Sequence, residues 1–385
     1  MVIHAISHAF FTSLTMFWQI LWPLILGFSI SGVIQAVVSH KQISKLMPDD
    51  KPKSLAIACG LGASSSSCSY AAVAIARSIF RKGANFTSAM VFEIASTNLV
   101  IELGVILAVL IGWQFTLAEF IGGPLMIIIL ALLFRLFVTP KIVAGALKQA
   151  EKDLSGKMEG HAAMDMSVGG SRSLIRKLFS KEGKTATSHF FVMDWASIWL
   201  DIVAGLLIAG ALAAWVPKSW WRALFFTSNH IWSIIWGPLI GPIVAMASFV
   251  CSVGNVPLAA VLLHGGISFG GVVSFIFADL IIIPILRIYI KYYGKKMAML
   301  IFVLFYLAMA IAGYITEGIF SLLHLVPTSR NLNLLTYHIS FDYTSILNII
   351  FLILAALMVY RFMKTGGPMM LKMMNKKAGN HSHHS

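Results

Sequence analysis

Long apolar runs alternate with short polar breaks along almost the whole chain, at about 13–38, 55–80, 84–112, 115–138, 190–215, 232–263, 266–290, 297–323 and 343–363. Several exceed the roughly 18 apolar residues that mark a bilayer-crossing helix, so the pattern predicts an all-α polytopic membrane protein. Met1 to Ser13 holds no Lys or Arg, and no small-residue cleavage site follows the first run. Ser13–Val38 is therefore read as a retained helix, not a secretion signal. The one long polar stretch, 139–189, is rich in Lys, Gly and Ser and reads as a partly disordered cytoplasmic linker with a weakly amphipathic piece at Leu174–Phe179.

Sliding the chain against itself by 183 residues aligns Cys68-Ser69 with Cys251-Ser252, Ser65 with Ser248, Gly83 with Gly266, Phe86 with Phe269, Phe92 with Phe275 and Ala95 with Ala278. The same offset carries 13–38 onto 196–221 and 115–138 onto 298–321, so motifs and hydropathy share one register. The predicted organisation is a first membrane repeat at 13–138, the linker at 139–189, a second repeat at 190–323, a final transmembrane helix at 343–363 and a cytoplasmic tail at 364–385.

Charge orients this arrangement. If 55–80 and 232–263 are re-entrant hairpins, entering and leaving on one side, then 26 of the 29 Lys and Arg residues fall on a single face, leaving Lys218, Arg222 and Arg330 on the other. Full crossings would split the basic loop at 41–53 from the linker, so the positive-inside rule favours hairpins. Two inverted-topology repeats follow, each with a broken-helix hairpin, in a cell's inner (cytoplasmic) membrane with the N-terminus outside and the C-terminus cytoplasmic. Only 11% of the 385 residues are charged and 58% are apolar, against about 25% charged in soluble domains. The +14 net charge lies in the loops, as membrane topology requires, and implies no nucleic-acid partner. Cys59, Cys68 and Cys251 are an odd number within apolar segments and imply no disulfide framework. His381-Ser382-His383-His384 carries no weight in the argument.

Inverted repeats with broken, Ser- and Gly-rich membrane segments are characteristic of secondary transporters, with the substrate near the midplane. The candidate substrate contacts are Ser64, Ser65, Ser66, Ser67, Cys68 and Ser69 in the first hairpin, and Cys251, Ser252 and Asn255 in the second, where Gly254 and Pro257 loosen the helix. Serines also mediate ordinary helix contacts, and buried free cysteines are usually small apolar fillers. Ionisable residues at membrane depth are functional candidates by default. Glu93, Glu102 and Asp279, with Asn98, are the candidates for coupling, since a carboxyl in a dry site can load and release protons. At about 100° per residue Asn98 and Glu102 share a face, while Glu93 with Thr97 lies on another. Glu317 and Asp201 read as interfacial or structural, and Trp215, Trp220, Trp221, Phe225 and Phe226 as an interfacial aromatic belt. No serine-nucleophile motif with a mid-membrane histidine, no HExxH and no phosphate loop is found. No catalytic residue, resident metal or cofactor is expected.

The run from Cys68-Ser69-Tyr70 through Arg81-Lys82-Gly83-Ala84-Asn85-Phe86 to Phe92-Glu93-Ile94-Ala95-Ser96-Thr97-Asn98-Leu99, with Cys251-Ser252-Val253-Gly254-Asn255-Val256-Pro257-Leu258, resembles the predicted-permease family that includes organoarsenical efflux permeases. The resemblance covers about half the chain. Many members carry a C-S-C-G-x-x-P pattern in their hairpins; here Val253 stands for the second cysteine, and the first hairpin replaces most of the pattern with serine. The resemblance implies a secondary active permease exporting a small toxic solute such as a trivalent organoarsenical, driven by an ion gradient, with the proton as coupling ion. Transport of another small sulfur- or metal-containing compound, a channel, and a membrane-embedded hydrolase are the rivals. The partners expected are a small-molecule substrate, the lipid bilayer and the coupling ion; an oligomer is compatible with all of this.

Overall fold

The computed structural model describes residues 2–37, 46–65, 69–151, 180–227, 229–248, 252–327 and 343–369. Of the residues singled out above, Ser66, Ser67, Cys68, Cys251, the 174–179 piece and 370–385 lie outside the described residues. The rest form fifteen α-helices and one 3₁₀ turn, with no strand among the described residues. The first half of the chain gives α1 (Val2–Val37), α2 (Pro52–Ser65), α3 (Ser69–Arg81), α4 (Phe86–Asn98), α5 (Ile101–Leu110), α6 (Trp113–Phe137) and α7 (Pro140–Ala150). The second gives α8 (Lys181–Trp215), α9 (Lys218–Leu224), α10 (His230–Ser248), α11 (Ser252–Gly265), α12 (Phe269–Phe277), the 3₁₀ turn Ala278–Ile281, α13 (Ile283–Tyr293), α14 (Lys295–Leu322) and α15 (Tyr343–Lys364).

Among the described residues six stretches are long and apolar enough to cross a membrane: Ile6–Ile30, Phe86–Leu110, Trp113–Phe137, Ile231–Ser248, Lys295–Leu322 and Thr344–Lys364. A seventh is formed if Phe269–Ile281 and Ile283–Tyr293, bent by 43°, count as one span. At 1.5 Å per residue α2, α3 and α11 reach only about 20 Å, short of the roughly 30 Å hydrocarbon core. The chain is a polytopic helical membrane protein.

Two apolar segments read as single runs are broken. Between α4 and α5, Leu99 and Val100 leave helical geometry. Just before the break Ser96 Oγ donates to the Glu93 carbonyl at 2.8 Å and Thr97 Oγ1 to the Ile94 carbonyl at 3.1 Å, competing with the helical ladder. After α12 the chain tightens into the 3₁₀ turn, and Ile282 turns extended. Pro284 then has no N–H with which to continue the preceding helix. The 139–189 stretch also differs from expectation. It contains α7, with Ala146 and Ala150 buried against neighbouring helices, and α8 begins at Lys181 rather than near 190.

Local geometry recurs at the 183-residue spacing. Gly83 (φ +96°) and Gly266 (φ +102°) supply the left-handed residue of equivalent turns. Asn85 and Ser268 then cap α4 and α12, Asn85 Oδ1 accepting from the Thr87 amide at 2.8 Å and Ser268 Oγ from the Gly271 amide at 3.1 Å. Packing pairs α1 with α8, α6 with α14, α2 with α4, and α10 with α12. Innermost lie α4 and α12, every residue of which is buried, and α11. Lipid-facing side chains such as Leu136, Leu322 and Ile353 cover the outside. Glu317 accepts from the Gly270 amide at the start of α12, a structural cap. Trp215, Trp220 and Phe226 are exposed, whereas Trp221 stacks on buried Phe225 at 5.6 Å.

On the basic side, the 46–51 segment ties helix ends together. Asn85 donates its amide to the Met47 carbonyl, Ser88 its hydroxyl to the Asp49 carbonyl, and Arg135 Nε reaches Asp50 Oδ2 at 2.7 Å. The Ser54 hydroxyl donates to Asp49 and holds its carboxyl below the usual carboxylate range.

The α2–α4 contact has no room for a side chain at Gly62, where a Cβ would meet the Phe92 carbonyl oxygen at 2.4 Å. Gly62→Ala should lower stability by about 1–3 kcal/mol, the usual overpacking cost. Gly60→Ala, two residues earlier with nothing within 4 Å, should be neutral or stabilise by up to about 1 kcal/mol. Unfolding of the two variants in one detergent compares them; equal loss would mean α2 is not held this close to α4.

Candidate functional site

The two helix breaks meet. Asp279, in the 3₁₀ turn, accepts from Ser69 Oγ through Oδ2 at 2.7 Å and from Asn98 Nδ2 through Oδ1 at 3.3 Å. Ser69 opens α3 and Asn98 closes α4, so one carboxyl joins three elements from both halves of the chain. Asn98 Nδ2 also donates to Thr97 Oγ1 at 3.2 Å. Five residues back on α4, Glu93 accepts from the Tyr289 hydroxyl of α13. Glu119 of α6 completes the group, near enough to Asp279 to act on it electrostatically, as Glu93 is.

This cluster is dry and short of partners. Ser69, Glu93, Thr97, Asn98 and Asp279 are wholly shut from the surface, and Glu119 nearly so. Glu93 Oε2, Asn98 Oδ1 and Glu119 Oε1 have no hydrogen-bond partner among the described residues. No lysine, arginine or histidine among the described residues hydrogen-bonds any of the three carboxyl groups. Around it stands an aromatic layer: Tyr289 and Tyr293 with centroids 6.2 Å apart, and Phe80, Phe86 and Tyr293 in edge-on contact. Arg77, at the far end of α3, is buried under the Tyr292 ring at 4.6 Å and donates from Nε and Nη2 to the Ala150 carbonyl, tying α7 to this wall.

The sequence candidates divide. Glu93, Asn98, Asp279 and Ser69 come together. Ser64 and Ser65 turn their hydroxyls back onto the Gly60 and Gly62 carbonyls of their own helix. Ser252 opens α11, as Ser69 opens α3 at the equivalent position, and is buried. Asn255 is fully buried; its Oδ1 accepts from Ser248 Oγ at 3.3 Å, and its Nδ2 has no partner. Glu102 does not share an environment with Asn98, contrary to the helical-face count. The break at Leu99–Val100 interrupts that count, and Glu102 instead lies in the first turn of α5 against Gly27 of α1, with Asp194 of α8 the nearby acid. The sequence reading singles out neither Glu119 nor Tyr289. Glu119 carries the same signal as the others, an acid inside a 25-residue apolar helix. Nothing in the one-dimensional pattern assigns Tyr289 to Glu93, since that contact spans 196 residues.

A polytopic helical membrane protein with an occluded acidic polar centre is built for moving a solute across the bilayer, and the comparisons define the class. Residues 5–318 match a protein-family model, ArsP_1, described as predicted permease, and the chain belongs to that family. It is 58% identical over 338 residues to "Putative permease Rv2963" of Mycobacterium tuberculosis (strain ATCC 25618 / H37Rv), covering 88% of this chain and 83% of that protein. No solved structure matches significantly. The protein is a membrane permease, a transporter rather than an enzyme. The matched region contains the whole acidic cluster and ends before α15.

Tyr289→Phe removes the one hydrogen bond made to the Glu93 carboxyl among the described residues and leaves a buried carboxyl unanswered, so it should cost about 1–3 kcal/mol of stability. In a Glu93→Ala background the same change should cost far less, and a double-mutant cycle by thermal unfolding measures the difference. Equal costs in both backgrounds would show that the two side chains do not interact.

Proposed function

We propose that the protein is a secondary active permease of the cytoplasmic membrane that exports a small toxic solute, such as a trivalent organoarsenical, in exchange for protons. The observation that carries the coupling is the group of buried acids Asp279, Glu93 and Glu119, of which Asp279 and Glu93 accept hydrogen bonds only from neutral groups among the described residues. Such a group can carry no more negative charge than arriving protons or a bound cation neutralise. Loading and unloading it therefore ties its charge to the ion on either side of the membrane. Spare acceptors on Glu93, Asn98 and Glu119 leave capacity for that exchange.

The cluster also suits a carrier built from inverted repeats. Asp279 and Asn98 sit at helix breaks in corresponding segments of the two halves, the arrangement in which transporters hold substrates and ions. The recurring Gly83/Gly266 turns and Asn85/Ser268 caps support a duplicated core at 13–138 and 190–323. The 26-to-3 charge asymmetry supports inversion, with hairpins at 55–80 and 232–263, the N-terminus outside and the C-terminus cytoplasmic. The choice of cargo rests on the family resemblance and on Cys68 and Cys251. In sequence these directly precede the first residues of α3 and α11, and soft thiolates favour soft, thiophilic centres.

Proteoliposomes with an imposed pH gradient test coupling and cargo together, with phenylarsenite as the solute. Wild type should accumulate it. Asp279→Asn and Glu93→Gln should fall to the level of empty liposomes while inserting normally, and Cys68→Ser with Cys251→Ser should lose phenylarsenite with the fold intact. Wild-type rates in all three variants would put both coupling and recognition elsewhere.

Topology is checked separately, in a background with the native cysteines replaced by serine. Single cysteines in 81–85 should react with an impermeant reagent only from the cytoplasm, and those in 264–267 only from outside. Outside labelling at 81–85 would overturn the inverted arrangement.

A further inference from the structure

A second polar feature lies far along the chain from the acidic cluster. Between the amino end of α8 and the carboxyl end of α15 is a crevice of about 690 Å³. Lys181 and Lys184 line it from α8, and Arg361 and Lys364 from α15; no carboxylate does. Leu357 and Met358 of α15 give it an apolar side. Thr187, buried and with a hydroxyl that has no hydrogen-bond partner, also lines it.

Arg361 is held in position. Its Nη2 donates to the Lys181 carbonyl at 2.9 Å and to Thr185 Oγ1 at 3.1 Å, and its Nε donates to the same hydroxyl at 3.3 Å. The two Nη1 donors have no partner among the described residues, so a fixed guanidinium keeps half its fork for something else. The start of α8 adds the partial positive charge of a helix amino end.

We infer that this crevice binds the headgroup of an anionic phospholipid. The charge is complementary, and the cations stand where a span gives way to its basic flank, at headgroup depth. The Leu357–Met358 wall continues into lipid-exposed surface that an acyl chain can follow. Basic pockets between membrane helices recognise phosphate headgroups in this way. A free anion would use the cations but gain nothing from the apolar wall. The α15 side of the site lies beyond the family-matched region, and the binding test below needs no transport.

The experiment measures lipid binding to the purified full chain by native mass spectrometry, with phosphatidylglycerol, phosphatidylcholine and inorganic phosphate as probes. Wild type should hold phosphatidylglycerol in preference to phosphatidylcholine, and millimolar phosphate should not displace it. Lys184→Gln with Lys364→Gln should weaken phosphatidylglycerol binding about thirtyfold, at roughly fivefold for each charge near the surface. Those side chains are exposed, so the lipid-free melting temperature should not change. Lys295→Gln with Lys296→Gln, at the exposed start of α14, should leave binding unaltered. Equal affinity for the two lipids, equal weakening by the Lys295/Lys296 pair, or displacement by phosphate would each overturn the proposal.

Discussion

Hydrocarbon supplies no hydrogen-bond partner, so any polar group at membrane depth must be answered from within the protein. That constraint bears hardest on Asp279. Its carboxyl sits wholly buried in a one-turn 3₁₀ kink, and it is answered by Ser69 and Asn98. Those two partners lie at the first residue of α3 and the last of α4. The meeting of α3, α4 and the 3₁₀ turn is therefore the structural cause of the fold's centre. The buried helices α4, α11 and α12 shut it from the surface, and the α1–α8 and α6–α14 pairs wrap it.

The same centre carries costs that a purely structural core would shed. Unsatisfied oxygens on Glu93, Asn98 and Glu119, and the free Nδ2 of Asn255, each represent about 1–3 kcal/mol of lost solvation. Apolar residues of similar shape would remove those costs. Glu93 and Asn98 in α4 and Asp279 in the 3₁₀ turn lie in segments that correspond at a 183-residue spacing, which ties the permease's architecture to the proposed handling of an ion and a solute. Close glycine contacts, Gly62 on Phe92 and Gly241 on Gly271, bring α2 against α4 and α10 against α12. Backbone-on-backbone surfaces of this kind allow two packed units to shift as bodies without unpacking large side chains.

The helical membrane class was legible because apolar surface leaves a strong one-dimensional trace, and Glu93, Asn98 and Asp279, singled out as polar residues inside apolar runs, are brought together by the fold. What the linear pattern hid follows from its own assumptions. Counting 100° per residue through 93–102 pairs Asn98 with Glu102 only if the helix continues, and no Pro or Gly marks the break at Leu99–Val100. The hydroxyls of Ser96 and Thr97 bond backward instead, a weaker signal. The break near Asp279 does have Pro284 nearby. Contacts such as Tyr289 to Glu93 and Ser69 to Asp279 link residues about 200 apart, and no periodicity specifies them. The α7 helix was hidden by its polar face, which made 139–189 look uniformly like linker.

The account stands on protons moving through the acidic cluster as the solute crosses. The direct measurement is the proton-to-solute ratio in lightly buffered proteoliposomes, with a pH dye inside and phenylarsenite supplied on one side. The account predicts a fixed ratio, proton movement opposite to the solute, and loss of that movement in Asp279→Asn. Phenylarsenite crossing with no accompanying proton movement, or undiminished proton exchange in Asp279→Asn, would contradict it.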